Sequence, residues 1–180
     1  MGYKNREIEK KFIVADSKLS FKEVCYLARY AIVDWEEQVS GRSKDLYWKS
    51  HDPVAADFIR LRYMPDGSGE LTLKRADQGS NVNRIEIDVV VPEPKQTGKF
   101  LKQLFGDPLG DIHKDYFILR LDEEDTTVSV YKIKGRSHVF IEVEARTLAK
   151  VDGLAKRLST RIKMNQEKRS LYELFFRSKK

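Results

Sequence analysis

Acidic and basic side chains recur at alternate positions along several stretches of this chain. Lys11, Arg60, Arg62, Lys74, Arg84, Lys114 and Arg120 supply the cations, and Glu7, Glu9, Glu86, Asp88, Asp122, Glu142 and Glu144 the carboxylates. Grouped carboxylates suit a hard divalent cation such as Mg²⁺ or Mn²⁺. Arginine and lysine suit phosphate oxygens, arginine through its planar fork. Both sets in one place would suit a metal–polyphosphate complex. The same residues on a half-exposed sheet would merely face water.

Strand periodicity is what could gather them. In Glu7–Val14, Glu7, Glu9 and Lys11 share one face, while Ile8, Phe12 and Val14 share the other with Lys10. Phe58–Tyr63 sets Arg60 and Arg62 against Ile59, Leu61 and Tyr63. Glu70–Arg75 sets Lys74 with Thr72, opposite Leu71 and Leu73. Arg84–Val91 groups Arg84, Glu86 and Asp88; Lys114–Asp122 groups Lys114, Tyr116, Ile118, Arg120 and Asp122; Val139–Ala145 groups Glu142 and Glu144. Further strands are expected at Asp34–Val39, at Asp45–Trp48 after a turn at Gly41, and at Thr127–Ile133, whose faces the pattern does not assign. Helices are expected at Leu19–Ile32, capped by Asp16 or Ser17, at Lys99–Phe105, at Leu148–Ile162 and at Gln166–Phe176. Each strand thus pairs an aliphatic face, which the helices can cover, with an ionic one. The arrangement is either an open sheet with its ionic face in water or a closed barrel with an ionic interior. Buried charges are costly without counter-ions, so a barrel of this kind needs an ionic guest.

A length of 180 residues fits one domain, 1–180, with no linker or repeat, and the 34% of charged residues accompanies 41% hydrophobic ones, enough for a core. The net charge of +6 favours an anionic partner. The basic residues interleave with acids rather than forming a stripe with stacking aromatics, which argues against a general nucleic-acid surface. The single Cys25 excludes an internal disulfide and a thiolate zinc site. His51, His113 and His138 lack metal-ligand spacing and read as surface or structural residues. No apolar run is long enough for a membrane span and no signal-peptide core is visible, so a cytoplasmic protein is expected.

The ordered set resembles the CYTH superfamily, the triphosphate tunnel metalloenzymes. Glu7-x-Glu9-x-Lys11 looks like its ExExK signature. Leu46-Tyr47-Trp48, Ile59-Arg60-Leu61-Arg62, Leu71-Thr72-Leu73-Lys74, Arg84-Ile85-Glu86 and Phe140-Ile141-Glu142-Val143-Glu144 look like its successive strands, and Ser170–Leu174 looks like its closing helix. The resemblance covers nearly the whole chain. It implies an α+β fold, an eight-stranded antiparallel β-barrel forming a tunnel, with helices packed outside. It implies that Lys11, Arg60, Arg62, Lys74 and Lys114, joined by Arg84 and Arg120, grip phosphates. Glu7, Glu9, Glu142 and Glu144, with Glu86, would bind Mg²⁺ or Mn²⁺, and Glu7 and Glu142 are the candidates for orienting the attacking water.

Two positions depart from the family pattern. Tyr116 stands where a second cation follows Lys114, with Arg120 on the same face as a substitute. Tyr131 stands about where an acid precedes the turn at Gly135. The expected function is metal-dependent hydrolysis of a triphosphate: inorganic triphosphate, thiamine triphosphate or a nucleoside triphosphate, with an RNA 5′-triphosphate end as the one nucleic-acid substrate compatible with it. The alternatives are an adenylyl cyclase of the class IV type and a non-catalytic tunnel that binds nucleotide or polyphosphate. The oligomeric state is not legible in the sequence.

Overall fold

The structure, a computed structural model, describes residues 7–49, 58–76, 83–121 and 126–176, with the side chains of residues 7, 75, 76 and 83–86 outside the description. His51 and Asp122 also lie outside it, as do the side chains of three expected site residues, Glu7, Arg84 and Glu86. Nine strands and four helices are described. The strands are β1 Glu7–Val14, β2 Trp35–Lys49, β3 Phe58–Tyr63, β4 Gly69–Ala76, β5 Asn83–Val91, β6 Gly110–Leu121, β7 Thr127–Ile133, β8 Val139–Ala145 and β9 Met164–Glu167. The helices are α1 Phe21–Ala31, α2 Pro94–Phe105, α3 Leu148–Ser159 and α4 Leu171–Phe175. All pairings given for these strands are antiparallel. The residues cluster into two compact units, to both of which β2 and β6 contribute.

In the first unit (residues 42–113 and 169 onward) the strand order is β5-β4-β3-β2. One face is apolar: Trp48, Leu61 and Val91 pack with Leu101 of α2, flanked by Leu46, Ile59, Tyr63, Leu71 and Phe105. Trp48 Nε1 donates to the Gly106 carbonyl at 3.0 Å, which ties the sheet to the end of α2. Gly106 has φ +79°, a left-handed conformation that favours glycine, as expected just past a helix C-terminus. The opposite face carries Asp45, Arg60, Arg62, Glu70, Thr72 and Lys74. At its end Tyr47 and Phe58 meet in a tilted pair, ring centroids 5.4 Å apart, with Tyr172 stacked on Phe58 and Phe176 tilted against Tyr47 at the closing helix.

In the second unit (residues 7–41 and 114–168) the order is β6-β7-β8-β1-β9. α1 and α3 cover its apolar face, and Val24, Ala28, Leu119, Val128, Val130, Ile141, Val143, Val151 and Leu158 are fully buried there. Burying one such leucine or isoleucine side chain stabilises by about 1.5–3 kcal/mol. Lys10, on the apolar side of β1, reaches past it to pair with Asp152 of α3.

The bounds of β1, β3, β7 and β8 are those expected from alternation. The expected barrel has eight strands, and the described fold has nine. The extra strand, β9, begins between the two expected helices and takes the first two residues, Gln166 and Glu167, of the second. It pairs with β1 on the side away from β8 (Lys11 opposite Glu167, Val14 opposite Met164), where the backbone hydrogen bonds on offer outweigh a local helical pattern. The last helix therefore begins only after Ser170, whose Oγ accepts from Glu173 N while the Glu173 carboxylate accepts from Ser170 N. No turn occurs at Gly41, because β2 continues through it. α1 is capped by Ser20 and Glu23 in the same reciprocal way, not by Asp16 or Ser17. α2 starts earlier than expected, with Pro94 in its first turn, where the missing N–H costs nothing.

Candidate functional site: two banks of buried charge

The first bank lies on β2, β3 and β4. Alternation puts Arg60 and Arg62 on one face of β3, and register puts Arg62 between Asp45 of β2 and Glu70 of β4. Arg62 grips Asp45 with both arms of its fork, Nε to Oδ1 at 3.0 Å and NH2 to Oδ2 at 3.3 Å. Its NH1 donates to Glu70 Oε1 at 3.3 Å. Arg60 NH2 donates to the same Glu70 oxygen at 3.0 Å and to Thr72 Oγ1 at 2.8 Å. Thr72 in turn donates to Asp88 Oδ1 at 2.6 Å. Lys74, next but one along β4, is buried. Burial and the neighbouring Arg60 push the Arg62 pKa down, but the Asp45 and Glu70 carboxylates outweigh them and the net shift is upward. Arg62 is thus a permanent cation.

The second bank lies on β1, β7 and β8. Lys11 is opposite Glu142 in register, and Glu9 opposite Glu144. Lys11 Nζ, 5% exposed, sits 3.0 Å from Glu142 Oε1 and 3.7 Å from Glu9 Oε1. Tyr131 Oη donates to Glu142 Oε1 at 2.8 Å, and Thr127 Oγ1 donates to Glu144 Oε2 at 3.1 Å. The Tyr131 ring stacks on Phe140 at 5.3 Å, and the buried Lys114 carries its ammonium 5.3 Å from the centre of that ring. β7 is thereby resolved: Val128 and Val130 enter the core, while Thr127 and Tyr131 serve the carboxylates.

The expected residues do not all fall in these banks. Arg60, Arg62 and Lys74 share the first; Lys11, Glu9, Glu142, Glu144 and Lys114 share the second. Arg120, expected among the phosphate ligands, is 53% exposed and donates to Glu37 at 2.7 Å. Residues outside the expected site set hold its members in place: Asp45, Glu70 and Thr72 accept from the arginines of the first bank, and Tyr131 and Thr127 donate to the carboxylates of the second. Register finds Asp45 and Glu70, since both face Arg62, but register needs the paired strands.

Glu9, Glu142 and Glu144 are hard oxygen donors of the kind Mg²⁺ and Mn²⁺ accept. Like charges directly opposite, as Glu9 and Glu144 are, repel unless a cation or donor balances them. Among the described residues no three His, Cys, Asp or Glu side chains are gathered closely enough to hold a metal. Glu142 is engaged by Lys11 and Tyr131 instead.

No protein-family model matches the chain, and no curated protein matches it in sequence. Solved structures do. A conserved hypothetical protein from Pyrococcus furiosus superposes with a TM-score of 0.71 at 18% identity, over 94% of this chain and 99% of that one. An adenylate cyclase candidate from Vibrio parahaemolyticus gives 0.68 at 13% identity, over 94% and 97%. A Hippeastrum protein, an adenylyl cyclase candidate said to have a dominant triphosphatase activity, gives 0.66 at 16% identity, over 94% of both chains. No helix among the described residues is long and apolar enough to cross a membrane. The structures similar to this chain include CYTH-type proteins, and at these identities what the chain shares with them is the fold: an antiparallel sheet with helices packed outside, as in the triphosphate tunnel proteins.

Proposed function

We propose that the chain is a divalent-metal-dependent triphosphatase. The observation that carries this reading is the arginine pair on β3, held side by side on a polar strand face of a fold shared with proteins named for triphosphate chemistry. Arg60 and Arg62 would bind non-bridging phosphate oxygens through their forks, with Lys11, Lys74 and Lys114 as point charges. Arg84 would assist them, as would Arg120 once released from Glu37. These cations neutralise charge that grows on the leaving group, which is most of what phosphoryl transfer asks of a protein. Glu9, Glu142 and Glu144, with Glu7 and Glu86, would hold Mg²⁺ or Mn²⁺. When bound, the metal polarises the phosphoryl oxygens. Glu142 would become available once the Lys11 ammonium turned from it to a phosphate oxygen; it or Glu7 would then orient the attacking water.

The cyclase designation of three similar structures motivates a second reading, in which the same cations hold ATP while its ribose 3′ oxygen attacks. Incubation with Mg²⁺ or Mn²⁺ and inorganic triphosphate, thiamine triphosphate, ATP or GTP decides. Metal-dependent phosphate release that Glu9→Ala and Arg62→Ala both abolish supports the hydrolase. Cyclic AMP with pyrophosphate supports the cyclase, and tight binding without turnover supports a binding protein. Full activity in both variants would sink the assignment of the site.

A further inference from the structure

Glu70 is placed differently from Asp45, the other carboxylate that Arg62 meets. Asp45 is fully buried and takes both arms of the Arg62 fork, as a fixed counter-ion does. Glu70 is 35% exposed and engages the arginines through one oxygen only, Oε1, which receives Arg60 NH2 at 3.0 Å and Arg62 NH1 at 3.3 Å. Its other oxygen, Oε2, has no hydrogen-bond partner among the described residues. One donor from each arginine therefore converges on a single anionic oxygen at the wetter side of the pair. Arginine donors take a phosphate oxygen as they take a carboxylate oxygen, through charge-assisted bonds.

We infer that Glu70 is a displaceable internal anion, occupying the phosphate-oxygen position between Arg60 and Arg62 and setting the charge a ligand must carry to enter. This rests on the phosphate-binding reading of the arginine pair. The quartet of Arg60, Arg62, Asp45 and Glu70 is charge-balanced as it stands. A ligand gains the two arginine donors only by breaking both of their bonds to Glu70, and charge-assisted bonds are the stronger class. Orthophosphate brings little charge with which to do so, and its other oxygens reach few further cations. Inorganic triphosphate brings several charges and spreads them over more donors, so it bears the displacement far better. Glu70 thereby discriminates by charge between triphosphate and orthophosphate, which is also the product such an enzyme must release. Asp45 cannot act in this way, because its removal from the Arg62 fork would leave a carboxylate buried without its counter-ion.

Calorimetric titration of inorganic triphosphate and of orthophosphate, without divalent metal so that the proposed hydrolysis does not consume the triphosphate, into the wild type, E70Q and E70A tests this. Removal of the competing charge should tighten orthophosphate binding about tenfold and triphosphate binding by less, so that the ratio of the two affinities narrows. A merely structural glutamate would, on removal, weaken both alike and leave the ratio unchanged. A wild type that binds triphosphate alongside variants with unchanged or weakened affinity for both anions overturns the role of Glu70 alone. A folded wild type that binds no triphosphate overturns the reading of the arginine pair and this inference with it. Melting curves of all three proteins identify a variant that fails to fold, and the remaining variant then carries the comparison.

Discussion

Asp45→Asn isolates the fixed counter-ion of the arginine pair. Asp45 is wholly inaccessible, and Arg62, 22% exposed, meets it through Nε and NH2. Asparagine keeps the shape and one acceptor oxygen but removes the charge. Removal of one partner from a buried ion pair costs about 3–5 kcal/mol, because the other charge stays desolvated. Glu70 still accepts from Arg62 NH1, so the lower end applies, about 3 kcal/mol, or roughly two decades in the folding equilibrium. Arg62→Met should cost at least as much, since it removes the cation from a more deeply buried carboxylate. The double variant D45N/R62M should be far less destabilised than the sum, with a coupling of about 2 kcal/mol. Urea unfolding followed by circular dichroism measures all three. If D45N cost less than about 1 kcal/mol, or if the two changes were additive, the pair would not be a coupled buried unit and the account of Arg62 as a held cation would be wrong.

The remaining predictions concern the second bank and acid stability. Tyr131→Phe deletes the hydroxyl that donates to Glu142 at 2.8 Å while leaving the stack on Phe140. It should cost about 1 kcal/mol in urea unfolding and, on the proposed function, lower kcat more than it raises KM; unchanged stability would remove Tyr131 from the network. The Arg157 guanidinium that donates to Asp34 through both its NH groups lowers the Asp34 pKa below the usual carboxylate range. A lowered folded-state value means stability that is present above the unfolded pKa and lost as pH falls through the folded one. Both side chains are at least a third exposed, so this amounts to less than about 1 kcal/mol. Asp34→Asn should therefore be less stable than the wild type at neutral pH, with a difference that begins to shrink as pH falls past about 4 and is gone only below the lowered folded-state pKa. A difference that persisted undiminished into acid would exclude the ion pair as its source.

Local periodicity was enough for much of this molecule. The alternation in Phe58–Tyr63, Thr127–Ile133 and Val139–Ala145 marks strands whose observed bounds are the same, because burial of one strand face dictates every second residue. In Phe58–Tyr63 and Val139–Ala145 it also separates the ionic from the aliphatic side, so that Arg60 with Arg62, and Glu142 with Glu144, are neighbours on a face from their numbers alone, whereas the faces of Thr127–Ile133 emerge only from packing. The order of these segments was enough to suggest the fold that the solved structures share. Tertiary pairing decided the rest. Met164–Glu167 is a strand because β1 offers it hydrogen bonds, an offer invisible in its own residues. Arg120 turns to Glu37, far away in sequence, and so departs from the cations its face would group it with. Most of all, cross-strand register decided which charges meet. Asp45 and Glu70 converge on Arg62, and Tyr131 and Lys11 on Glu142, only because the antiparallel ladders place them opposite one another or side by side. A strand's own residues determine which face each side chain takes, and the partner strand determines what stands there to meet it.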